Sequence, residues 1–369
     1  MTLPKAIQVL FFLLLVFTCL YIAKPFLVPV CFAGLLSTLF LPLGRWLEQK
    51  GIAKGLAILI CILLFLIVIA AIVWYISWQV TDVTSAATDI EQKVKQMIGE
   101  AKQYISSHFS ISPKQQDKLL QSRQDAGGTG GIFSNLGSSV IIFVVDVILV
   151  LVYIFLFMYY RSRIKKFILQ LVTPQQKKNA EQIIHNIQKV SQQYLTGLGI
   201  MIACLWIMYG IGFSIVGVKY AVFFAILCGL LEIVPFAGNL TGNLITILMA
   251  IAQGGNIDMV IGIIITYAII QFLQTYILEP LVVGAEVNIN PLFTIIVIVV
   301  GELVWGIPGM ILAVPLLGIV KIICDHIEPL KPYGYLIGRE RKLKTVLIEK
   351  LKSKRFNATN KPTAKDKLY

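Results

Sequence analysis

Two glutamates stand where a carboxylate is expensive. Glu232 opens the stretch Glu232-Ile-Val-Pro235-Phe-Ala-Gly238-Asn239, Glu302 opens Glu302-Leu-Val-Trp-Gly306-Ile-Pro308-Gly309, and both stretches interrupt long apolar blocks. A carboxylate held at membrane depth is a functional candidate, because burial disfavours its charged form and lets it carry a proton or coordinate a cation. The competing expectation is structural, with the carboxylates hydrogen-bonded as caps on broken helix ends. Asn239, Asn243, Gln271 and Gln274 add neutral polar groups; Gln271 and Gln274 are three apart and share a helix face with Leu278, which suits a polar solute and a helix contact equally. Asp146 is a weaker candidate, and Glu279, Glu286, Asp258 and Asp325 fall near span ends, where solvated or capping roles are expected. The candidate substrate or ion pathway is therefore Glu232, Pro235, Gly238, Asn239, Gln271, Gln274, Glu279, Glu302, Pro308 and Gly309.

Other chemistry finds little support. The six cysteines (19, 31, 61, 204, 228, 324) all sit in apolar blocks without CxxC spacing, and behave as small hydrophobes. The three histidines (108, 185, 326) have no partner spacing for a metal or a triad, and no G-x-S-x-G, Walker A or HExxH is present. No cofactor, metal or enzymatic activity is expected.

The elements that position these residues are membrane helices. Of 369 residues 57% are hydrophobic and 14% charged, with a mean hydropathy of +0.82, far more apolar than a globular domain. Blocks long enough for a span, about 20 residues, are Ala6 to Ala23, Phe26 to Leu43, Leu56 to Val80, Val140 to Tyr160, Gly199 to Val216 and Met259 to Leu278. Tyr220 to Ala252 and Pro291 to Cys324 are too long for one span, short for two, and broken mid-way by Pro and Gly. Backbone freed at such breaks needs protein or water partners, and a matched pair of interrupted segments points to a transporter's binding site. The expected fold is an all-α integral membrane protein with about six full transmembrane helices plus two broken or re-entrant hairpins, or equivalently eight spans.

Charge placement orients the chain. The net charge of +13 is not spread as nucleic-acid binding would require. Residues 161–195 carry seven Lys/Arg against one acid and 331–369 carry twelve against three, whereas 81–137 balance six against six. The positive-inside rule makes the first two, and both termini, cytoplasmic and 81–137 exoplasmic. The first apolar run is longer than a signal h-region and no cleavage site follows it, so it is expected to stay as an anchor.

Domain organisation follows: three spans in 1–80, a helical exoplasmic insert in 81–137, a fourth span in 138–160, a basic amphipathic helix in 161–195, a transport core in 196–325 containing the broken segments 219–252 and 291–324, and a basic tail in 326–369. In the insert, Val83, Ala87, Ile90, Val94, Met97, Ala101 and Tyr104 form one apolar stripe of heptad spacing, which packs either on a second helix opening at Ser112 or between protomers. Gly127 to Gly131 should be a flexible return to the membrane. Thr173-Pro174 should open the amphipathic helix, which would lie along anionic lipid.

The runs Tyr194-Leu-Thr-Gly197, Val216-Gly-Val-Lys219-Tyr-Ala, Glu232 to Gly238, Glu279-Pro280, Asn290-Pro291-Leu292 and Gly306 to Pro315 resemble the AI-2E transporter family in order and spacing across 161–325. The resemblance implies a plasma-membrane permease, exporting a small polar solute such as the quorum-sensing signal autoinducer-2, with sodium/proton antiport assigned to other relatives. It also implies a homo-oligomer, with pentamers suggested for the family. Phe236-Ala237-Gly238-Asn239 departs mildly from the family pattern, which leaves substrate choice open. From a different class, an oligomeric membrane scaffold without transport would have no need for paired broken helices flanked by acids.

Overall fold

The computed structural model describes residues 3–79, 129–235, 237–283 and 289–339. Its helices are α1 (Leu3–Ile22), α2 (Lys24–Gln49), α3 (Lys54–Gln79), α4 (Thr129–Gln170), α5 (Lys177–Val216), α6 (Ala221–Leu231), α7 (Ala237–Ala252), α8 (Ile257–Leu273), α9 (Pro291–Trp305), α10 (Ile307–His326) and α11 (Lys331–Ile337). A π-helical segment, Gln274–Val283, continues α8. Among the described residues the extended backbone amounts to one antiparallel bridge, Ile289 to Gly338. The stripe from Val83 to Tyr104 and the cap at Ser112 lie outside the described residues.

Among the described residues, the stretches picked out by length and hydropathy as able to cross a bilayer are six: Lys24–Gln49, Lys54–Gln79, Val144–Gln170, Pro174–Val216, Ile257–Glu279 and Ile307–His326. Large apolar side chains such as Phe11, Leu63, Ile207 and Ile265 stay more than half exposed on their outer faces. A water-soluble chain does not leave such faces bare, and lipid is the solvent that suits them. The chain is an all-α multi-pass membrane protein.

The expected set gains one member: α10, expected as half of a broken block, is itself long enough to cross, while α1, Leu3–Ile22, has the 20 residues of the first expected span.

Two local expectations are also corrected. No separate amphipathic helix occupies 161–195: its first ten residues finish α4, a bend and a short turn follow at 171–176, and 177–195 begin α5, one continuous helix of 40 residues. Gly197 and Gly199 do not break it, because a helix interrupts only where backbone bonds are lost and these glycines keep theirs. Pro174 does open a 3-10 turn ahead of α5, but Thr173 makes no side-chain cap. The final residues of the Gly127 to Gly131 run are helical too, as the start of α4.

Helix α5 is the hub, packed against α2, α10, α6, α8 and the π segment. One core joins α2, α3 and α4 through Phe40, Leu47, Ile58, Cys61, Ile154 and Met158. A larger one joins α5 to α6, α7 and α8 through Leu205, Phe213, Phe224, Ala250, Ile263 and Ile270. A third, Leu35 with Trp305 and Leu312, ties α2 to α9 and α10.

Candidate pathway at the tip of a short helical hairpin

Helix α6 has 11 residues and α7 has 16, about 16 and 24 Å at 1.5 Å per residue, against roughly 30 Å of hydrocarbon. Neither helix alone reaches across that thickness, and the turn Glu232 to Pro235 joins them. Its backbone is satisfied locally: the amides of Glu232, Ile233 and Val234 donate to the carbonyls of Cys228, Leu230 and Leu231 at 2.9 to 3.2 Å, and that of Gly238 to Val234 at 3.0 Å. Gly238 is required sterically, since a Cβ there would overlap the Leu231 carbonyl. Pro235 ends the turn and blocks continuation of α6.

Against this tip lies a buried polar network. The Tyr209 hydroxyl from α5 donates to Asn239 Oδ1 at 2.8 Å and accepts from Asn243 Nδ2 at 3.2 Å. Asn243 Nδ2 also approaches Asn239 Oδ1 and the Asn239 carbonyl, at 3.0 and 2.9 Å. Asn239 Nδ2 donates to Gln271 Oε1, and Gln271 Nε2 to Thr275 Oγ1 at 3.3 Å. Gln274 Nε2 donates to Glu232 Oε1 at 2.6 Å. Asn239, Asn243 and Gln274 are at most 5% exposed.

Three buried atoms of this cluster have no hydrogen-bond partner among the described residues: Glu232 Oε2, Asn243 Oδ1 and Gln274 Oε1. An orphaned buried polar atom costs about 1 to 3 kcal/mol. All three are oxygens, so the unmet demand is for donors or for a cation. A proton, a metal cation or a hydroxyl-rich solute would each meet it.

Six predicted residues meet here: Glu232, Asn239, Gln271 and Gln274 in the network, and Pro235 and Gly238 in the turn that carries it. Glu279 follows Gln274 by five residues on the π segment, about one turn of such a helix, and its side chain is exposed. Glu302, Pro308 and Gly309 are elsewhere. Glu302 is exposed on α9, which packs on α10, α1 and α2, and its backbone carbonyl, not its carboxylate, receives the Gly306 amide at 2.7 Å. Pro308 sits in the first turn of α10, and Gly309 lies against Gly301 of α9. Tyr209 was absent from the predicted set, although a tyrosine hydroxyl in mid-span always needs a partner.

The chain matches the family model described as "AI-2E family transporter" over residues 10–328. It is 24% identical over 319 residues to "Putative transport protein YrrI" of Bacillus subtilis, covering 83% of this chain and 87% of the relative. It is 26% identical over 338 residues to "Putative transport protein YueF" of the same organism, covering 85% and 90%.

Proposed function

Because the chain belongs to the AI-2E family of transporters, we propose that it is a secondary permease of the plasma membrane that exports a small polar solute such as autoinducer-2 past the tip of the α6–α7 hairpin. One observation carries this reading: the three partnerless oxygens of Glu232, Asn243 and Gln274, beside amides and a phenol from α5, α7 and α8. A solute rich in hydroxyls brings the donors they lack. Its O–H groups would donate to Glu232 Oε2 and Gln274 Oε1, and the short hairpin is an element able to shift without unfolding a full span.

A second reading, sodium/proton antiport, is favoured by the same atoms. Oxygen acceptors around one carboxylate suit a sodium ion, and the carboxylate can exchange it for a proton. Flux of autoinducer-2, sodium and protons, each measured alone in proteoliposomes with wild type and Glu232→Gln, separates the readings. Autoinducer-2 flux lost in the variant supports the first. Cation-coupled proton flux without autoinducer-2 flux selects the second. Absence of all three overturns both and leaves a scaffold.

A further inference from the structure

A second polar feature lies apart from the hairpin network. Where α2 ends, α4 ends and α5 begins, a cleft of about 170 Å³ is lined by Arg45, Arg161, Ser162, Lys165, Glu181, Ile184, His185 and Gln188. Its cations are only partly used. Arg161 Nη2 pairs with Glu48, but Arg161 Nη1 is buried with no partner among the described residues. Lys165 is 3.0 Å from Glu181 in a pair about half exposed, an arrangement of small net worth. Arg45 is exposed and has no acid partner among the described residues. A guanidinium with a buried, unmet N–H, next to a free arginine, a lysine and a serine hydroxyl, is the donor set of a phosphate site.

The level of the cleft identifies the source of the phosphate. Trp46 follows Arg45, and Tyr159 and Tyr160 precede Arg161; all three rings are 42 to 49% exposed. Lys50 lies over the Trp46 ring at 3.9 Å and Lys54 over Tyr159 at 5.2 Å. Half-exposed Trp and Tyr interleaved with Lys and Arg mark the depth of lipid headgroups, and basic pockets between helices at that depth take anionic headgroups. One and two turns deeper, Leu156 and Val152 offer exposed apolar surface for an acyl chain. We propose that this cleft binds the phosphate of an anionic phospholipid, held by Arg45, Arg161 and Lys165 while its chains lie along α4.

The test uses the full chain in nanodiscs of phosphatidylglycerol and phosphatidylcholine in equal parts, with lipid retained after transfer to neutral detergent measured by native mass spectrometry. Wild type should keep phosphatidylglycerol in preference. Arg45→Gln with Lys165→Gln removes two exposed cations and leaves the Arg161–Glu48 pair intact, and should weaken retention roughly 30-fold, as expected for two basic groups beside an anionic surface. Lys331→Gln removes a charge far along the chain, from an exposed pair with Glu328, and should change nothing. Equal retention of both lipids, or equal loss in Lys331→Gln, overturns the site. Saturable binding of inorganic phosphate in neutral detergent, without phosphatidylglycerol preference in nanodiscs, overturns the lipid as its source.

Discussion

At the tip of α6–α7 the chain turns beside Glu232 and meets two asparagines, two glutamines and a tyrosine; at the tip of α9–α10 it turns at Gly306 and meets Lys24, Leu20 and Trp305. The helices differ in length, 11 and 16 residues in the first hairpin against 15 and 20 in the second. The contacts differ as well. Gly301 and Gly309 face one another so closely that a Cβ on either would strike the other's carbonyl, which joins α9 and α10 backbone to backbone along an apolar seam. Two segments with the same Glu, aliphatic, Val, Pro and Gly signature thus end up as a short hairpin with a polar tip and an apolar strut. The signature records that a helix is broken. The lengths on either side, and what packs there, decide whether the break is a site.

Glycine substitutions give the largest expected effects and set the two hairpins against each other. In Gly238→Ala the new Cβ meets the Leu231 carbonyl, so the α6–α7 turn must reopen and the network disperses. Flux should vanish even in protein that still elutes as a folded particle. In Gly309→Ala the Cβ meets the Gly301 carbonyl, α9 and α10 separate, and overpacking costs about 1 to 3 kcal/mol. The melting temperature should fall while flux per folded molecule persists. A variant of Gly309 that transports nothing although folded would end the description of α9–α10 as a strut.

The glutamates come next. Glu232→Gln keeps size and most hydrogen-bonding capacity but removes titration. It should abolish coupled flux or make it independent of pH, because Glu232 is in contact with Gln274 and carries an unmet oxygen. Glu302→Gln should leave flux and its pH profile unchanged, since that side chain is exposed on a helix that packs away from the network. Matching profiles for both variants across pH 5 to 9 would remove the functional difference between the hairpins.

How far the sequence showed this in advance follows from what each signal measures. Hydropathy counts apolar length, so the spans and the multi-pass class were legible. The spacing of Gln271 and Gln274 fixed their common face, and the structure turns that face onto the hairpin, to Asn239 and Glu232. Glu302 looked equivalent to Glu232 because a motif carries no depth; the exposure of Glu302, the Gln274 bond of Glu232 and the full length of α10 separate them. Asn243 was named among the neutral polar groups, but Tyr209 depends on which helix α7 packs against, and no local pattern holds that. The continuity of α5 was missed because its charged half and its apolar half suggest different solvents, yet the α-helical bonds run through both.

Within the network, Tyr209→Phe has a smaller and more local consequence. It removes the donor to Asn239 Oδ1 and the acceptor for Asn243 Nδ2 while keeping the ring packed on Phe213, 5.2 Å between centroids. Leaving those groups underused costs about 1 to 3 kcal/mol in thermal unfolding, and solute affinity should fall with it. Unchanged affinity together with reduced stability would confine Tyr209 to a structural part.

Trp305→Phe is the matching probe of the strut and should give the smallest effect. Trp305 is 8% exposed, packs with Leu35 and Leu312, and donates from Nε1 to the Leu20 carbonyl at 2.9 Å, so it ties the tip of α9–α10 to the end of α1. Phenylalanine retains most of the apolar contact and loses the donor. The Leu20 carbonyl already sits at a helix end, where such groups find other partners, so the expected loss is about 1 kcal/mol of stability. Flux and its pH dependence should match wild type, because no atom of the polar network is touched. Transport that slows in Trp305→Phe at unchanged stability would mean that the α1 to α9–α10 contact moves during the cycle, and the strut would then be a second moving part.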